Sequence, residues 1–118
     1  MILVDTSIWI DHLRVANVKL AALLHDGQVC CHSFVIGELA CGHLRRRDEF
    51  LELLANLPRI AVVSDEEIMR FIEVHRLLGE GLGWTDVHLL AAAAAESAQL
   101  WSRDRRLLAT ANRLGVGI

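Results

Sequence analysis

Short apolar runs and longer amphipathic ones alternate along this chain, and the changeovers fall at polar, glycine or proline steps. It opens Met1-Ile2-Leu3-Val4 and turns polar at Asp5-Thr6-Ser7. A short run of Leu and β-branched residues without polar alternation predicts a strand covered on both faces of a parallel sheet. Residues 7–14 read as a short helix. Asn17 predicts the N-cap of a second helix over 18–25, which Gly27 ends as a left-handed cap. Gln28-Val29-Cys30-Cys31-His32 predicts the next strand. Ser33 then reads as an N-cap for a helix over 34–47, where Phe34, Val35, Ile36, Leu39 and Leu44 fall near helical spacing.

Residues 48–57 repeat the amphipathic pattern, with Phe50, Leu51, Leu54 and Leu57 on one side and Pro58 as the stop. Residues 59–63 predict a third strand. Ser64-Asp65-Glu66-Glu67 is a capping-box signature, so these acids read as partners of a helix dipole, in a helix running to about Leu78. Gly79-Glu80-Gly81-Leu82-Gly83 follows a helix and lacks a Lys-Ser/Thr ending, so it reads as a connector and not a phosphate loop. Trp84-Thr85-Asp86 opens a strongly helical stretch through the alanine run to Ala95, whose small side chains suit close packing on a sheet. Gln99-Leu100-Trp101-Ser102 predicts a fourth strand, ended by Arg103-Asp104. Residues 106–114 make a final helix capped by Gly115, and 116–118 a last edge strand. Strands alternating with helices predict an α/β sandwich around a mainly parallel sheet. With 118 residues and 53% hydrophobic content, the chain predicts one domain over 1–118.

Charge and cysteine content narrow the classes. A formal net charge of -3 gives no basic footprint, so any nucleic acid must be gripped by local arginines or through metal. Lys19 is the only lysine, and Arg is the better fork for phosphate. Three cysteines, two of them adjacent, make no disulfide framework, and no leader or membrane-length apolar run is present, so a cytoplasmic protein is expected. None of the six histidines has a zinc-like spacing. Trp101 reads as core, Trp9 and Trp84 as core or dimer contacts, and Arg45-Arg46-Arg47 as a solvated helix end.

Four carboxylates stand out. Asp5 and Asp104 each follow a short apolar strand, Asp86 opens a helix, and Glu38 is a lone acid among apolar neighbours. Each has a plain reading as a cap or ion-pair partner. In a parallel sheet, however, strand ends share one rim, where α/β proteins bind ligands. Carboxylates gathered there repel one another unless a cation neutralises them, and oxygen-only ligands favour Mg²⁺ or Mn²⁺ over zinc. Such a site suits hydrolysis of a phosphodiester by a metal-activated water. Arg103 and Arg105 flank Asp104 and are candidates for phosphate contact.

The segments Val4-Asp5-Thr6-Ser7, Ile36-Gly37-Glu38-Leu39, Asp86-Val87-His88-Leu89-Leu90-Ala91-Ala92 and Leu100-Trp101-Ser102-Arg103-Asp104 occur in the order and spacing of PIN-domain ribonucleases. Over nearly its whole length the chain closely resembles the VapC toxins of type II toxin-antitoxin pairs. The resemblance implies a PIN-like three-layer α/β/α sandwich and an endoribonuclease that needs Mg²⁺ or Mn²⁺. It implies Asp5, Glu38, Asp86 and Asp104 as the catalytic and metal-binding acids, with Thr6 or Ser7 supplying a supporting hydroxyl. Ser102 stands where many members carry Thr and keeps the hydroxyl. A homodimer and a cognate antitoxin that occupies the active-site groove are implied too. The alternative is a PIN fold kept as an inactive RNA-binding or antitoxin-binding module, which a missing acid would favour, and none is missing. A receiver domain would want adjacent acids after the first strand and a late lysine, and a dehalogenase-type hydrolase a second Asp where Ser7 stands.

Overall fold

Strand β1 (Ile2–Val4) lies at the centre of the sheet with all three side chains buried. The computed structural model describes residues 1–118. β1 pairs in parallel with β2 (Val29–Cys30) on one edge and β3 (Gln99–Trp101) on the other. The register sets Leu3 opposite both Cys30 and Leu100, and Val4 opposite Trp101. A strand bonded on both edges and covered on both faces leaves no place for a polar side chain, so polarity returns only at Asp5.

Seven helices cover the sheet: α1 (Thr6–Arg14), α2 (Val18–His25), α3 (Ser33–Ala40), α4 (Arg47–Ala55), α5 (Asp65–Val74), α6 (Trp84–Ala95) and α7 (Arg105–Arg113). α1 packs on α3 and α3 on α4, while α5 packs on α6, and α6 and α7 rest on β3. This is the expected α/β/α sandwich. α6 is the most enclosed, with every residue from Val87 to Ala93 buried, as its alanines allow. None of the helices is long and apolar enough to cross a membrane.

Several expected boundaries move. The third and last strands each shrink to a single parallel bridge, Cys31 with Arg59 and Leu100 with Gly117. At 59–63 only Ile60 is buried, and Ser64 caps α5 directly afterwards, so the segment leaves the sheet after one pairing. The helix expected over 34–47 breaks after Ala40, and α4 starts only beyond Arg46, whose φ of 50° is left-handed. α5 stops at Val74 because Arg76 is also left-handed (φ 53°). His32, not Ser33, is the N-cap of α3, its Nδ1 accepting from the Phe34 amide at 3.0 Å. Trp101, expected in the core, is half-buried and packs against the core's edge, with the Lys19 ammonium 5.0 Å from its ring centre.

Candidate functional site

Because all three strands are parallel, their carboxyl ends open on one rim, and the backbone there is tied across: the Asp5 amide donates to the Trp101 carbonyl at 2.9 Å. Asp5 is buried at 8% exposure, yet both its oxygens are used. Oδ1 accepts from the Thr6 amide at 2.8 Å, which makes Asp5 the N-cap of α1. Oδ2 accepts from the Ser7 hydroxyl at 3.1 Å and the Ser102 hydroxyl at 2.7 Å. A buried carboxylate is tolerated when it receives this many donors. All three hydroxyls singled out in the sequence are therefore engaged with the acids, since Thr6 Oγ1 donates to Glu38 Oε1 at 2.9 Å.

Ser102 is the hub of the rim. Its hydroxyl donates to Asp5 and accepts from the Asp104 amide at 3.0 Å. Asp104 caps α7, with Oδ1 accepting from the Arg106 and Leu107 amides at 2.9 and 3.1 Å. Asp86 does the same for α6 from inside the first turn, its Oδ2 accepting from the Gly83 amide at 2.9 Å. Burial is the main reason the Asp86 carboxyl titrates above its usual range; the Gly83 amide opposes the rise, and the charges of Asp5 and Asp104 add to it. Those two charges acting on Asp86 are the electrostatic sign that the three aspartates share one place.

One oxygen of Glu38, of Asp86 and of Asp104 is engaged by a protein donor, and the other carries no protein hydrogen bond. Hard oxygen donors with mutual repulsion are the donor set that Mg²⁺ or Mn²⁺ takes. No three acids converge at ligand distance around one point as they stand. Magnesium usually takes one or two protein carboxylates and fills its shell with water, so the residues fit such an ion without a closed cage.

Of the two arginines, Arg105 is exposed at the start of α7, and Arg103 pairs its guanidinium with Asp11. Sequence reasoning passed over Asp11; its spacing of four from Ser7, which sets both on one face of α1, was the available signal. It also passed over Gly83, whose backbone amide holds Asp86 and leaves no side-chain trace to read. Trp9 is fully buried and edge-on to Phe50, whereas Trp84 is 45% exposed and edge-on to His88. His88 is buried, with Asp65 3.9 Å away and no hydrogen bond to a rim acid, so it does not orient the site.

A family model for the PIN domain matches residues 2–113. Ribonuclease VapC32 of Mycobacterium tuberculosis, in strains CDC 1551 / Oshkosh and ATCC 25618 / H37Rv, is 48% identical over 119 residues, covering 100% of this chain and 96% of the relative. Among solved structures, PAE2754 from Pyrobaculum aerophilum has the same fold, with a TM-score of 0.64 at 17% identity, over 97% of this chain and 88% of that one. The chain therefore belongs to the PIN-domain family and, within it, to the VapC type.

Proposed function

We propose that this protein is a metal-dependent endoribonuclease, the toxin of a type II toxin-antitoxin pair, and that residues 1–118 work as one domain. The observation that carries the reading is the rim at the strand ends, where the Ser102 hydroxyl ties Asp5 to the Asp104 backbone and the charges of both aspartates reach Asp86. The 48% identical relative named as a ribonuclease supports the choice of substrate class. Asp5, Glu38, Asp86 and Asp104 would hold Mg²⁺ or Mn²⁺. Such an ion would supply a water activated for attack on phosphorus and would offset charge on the phosphoryl oxygens.

The chain's own residues do the rest. Ser7 and Ser102 orient Asp5, and Thr6 orients Glu38, so hydroxyl donors fix the direction of two of the four carboxylates. Caps at the starts of α1, α6 and α7 hold acids against helix N-termini, where dipoles favour negative charge before any ion arrives. Arg103 and Arg105, on either side of Asp104, contact the phosphates of the RNA strand. The partners that follow are RNA, a cognate antitoxin and a second copy of the chain, in the cytoplasm.

Cleavage of total RNA by the purified, antitoxin-free chain in Mg²⁺, in Mn²⁺ and in chelator tests the reading. Discrete fragments that need metal, and that vanish in Asp5→Asn, are the expected result. An inert wild type that also fails to bind Mn²⁺ by calorimetry overturns it in favour of a binding module.

A further inference from the structure

α1 brings one more carboxylate to the rim beyond the four acids. Asp11 lies one helical turn past Ser7 and pairs with the Arg103 guanidinium. The backbone N–H of Arg103 donates to Ser7 Oγ at 3.2 Å. Two successive turns of α1 thus hold this one residue, by its main chain and by its head group. Between them opens a cleft of about 420 Å³ lined by Ser7, Ile10, Asp11, Arg103 and Asp104.

An exposed ion pair adds little to stability, so stability does not account for the arrangement. The Arg103 side chain is 64% exposed and that of Asp11 34%. A guanidinium carries five N–H donors in a rigid fork, and Asp11 engages it through a single oxygen, leaving donors for a second anion. Untethered, this cation would be free to turn toward Asp104, which lines the same cleft, and compete with a metal for its free oxygen.

We infer that Asp11 is a positioning residue for RNA: it holds Arg103 at the edge of the cleft, clear of the acids, where the guanidinium receives a phosphate of the strand next to the bond being cut. The inference rests on the endoribonuclease reading and deepens it. Ordering a long side chain before the substrate arrives removes that cost from binding. The sign of the effect is diagnostic. Asp11 is itself negative beside a polyanion, so removing its charge strengthens RNA binding if charge alone matters and weakens it if positioning is lost.

The test is steady-state cleavage, in Mg²⁺, of an RNA oligonucleotide carrying a site that the wild type cuts, with melting temperatures measured alongside. Asp11→Asn raises KM about two- to tenfold with kcat nearly unchanged, the factor expected for one rotamer-rich side chain. Asp11→Glu, which keeps the carboxylate, recovers most of that loss, and Glu73→Ala, a charge change on α5, leaves KM alone. The double variant Asp11→Arg/Arg103→Asp regains the melting temperature through a reversed pair, but not KM, because the cation now sits on α1. A KM for Asp11→Asn that falls or stays put overturns the inference, and so does a reversed pair that restores KM. A wild type that cuts no RNA in any metal and binds no Mn²⁺ by calorimetry removes the endoribonuclease reading and this inference together; an active wild type with an unmoved KM removes the inference alone.

Discussion

The three aspartates of the rim and the acids that open α5 all sit at helix starts. Asp5 and Asp104 cap α1 and α7, and Asp86 accepts from the Gly83 amide at the start of α6. At α5, Ser64 Oγ accepts from the Glu67 amide at 3.3 Å, and Asp65, Glu66 and Glu67 fill the first turn. The α5 acids are exposed and make no hydrogen bond through their carboxylates; their one charged contact is that of Asp65 with His88. At the rim, three helix starts from distant parts of the chain meet, and Asp5 is buried beneath two hydroxyls. What separates a candidate ligand from a purely structural acid is therefore convergence. A cap becomes a candidate ligand when parallel strands deliver other caps to the same place.

Neutralising one acid in each region breaks the comparison most sharply. Asp5→Asn lowers RNA cleavage about 100-fold or more, on the scale of losing a preorganised electrostatic group. Glu66→Gln leaves cleavage unchanged. In thermal melts, Mn²⁺ raises the melting temperature of wild type and of Glu66→Gln but not of Asp5→Asn, because only a folded state that binds the ion is stabilised by it.

Next come the two serines. Ser102→Ala deprives Asp5 of one donor and the Asp104 amide of its acceptor, and cuts kcat/KM about tenfold, as loss of a residue behind a metal ligand does. Ser64→Ala costs about 1 kcal/mol of stability through the lost cap, read by chemical denaturation, and leaves cleavage intact.

A smaller effect separates the regions by pH. The Asp86 carboxyl titrates above its ordinary range, so the folded protein retains a proton there that the unfolded chain gives up. The contribution of this group is therefore present at low pH and lost as pH rises through the raised value. Asp86→Asn accordingly raises the melting temperature of the metal-free protein at pH 7, and the advantage shrinks on acidification. Glu67→Gln on α5 produces no such gain.

The mildest effect concerns His32, which caps the helix that carries Glu38. Burial foremost, then the charges of His88 and Arg59, pull its pKa down from 6.5 to about 4. Between those values the unfolded chain takes up a proton that the folded one refuses, so stability falls as pH drops through this window. His32→Asn keeps a cap acceptor without the titration. It melts lower than wild type near pH 7, for lack of the buried ring, but flatter with pH across the same window.

Much of the fold was legible because its signals are local. Ile2-Leu3-Val4, the Asn17 cap, Gly27 and Gly115 at positive φ, and the alanine-rich α6 each announce themselves within a few residues. The misjudged elements depend on neighbours: one pairing at Arg59 looks like a strand until Ser64 turns the chain away, and His32 displaces Ser33 as a cap because its ring is buried against Phe34. The Asp11–Arg103 pair joins residues 92 apart in sequence, and no local pattern reports such a contact.

By itself, the sequence determined which residues could be strands, helices and caps, and which acids were spare, because propensity, periodicity and capping act over a turn or less. Only the tertiary structure decided which carboxylates come near one another. The parallel pairing of β1 with β3 sets Ser102 over Asp5, and helix α6, packed on that sheet, brings Asp86 within reach of the charges of both Asp5 and Asp104. Charge interaction depends on distance through space, and distance along the chain does not contain it.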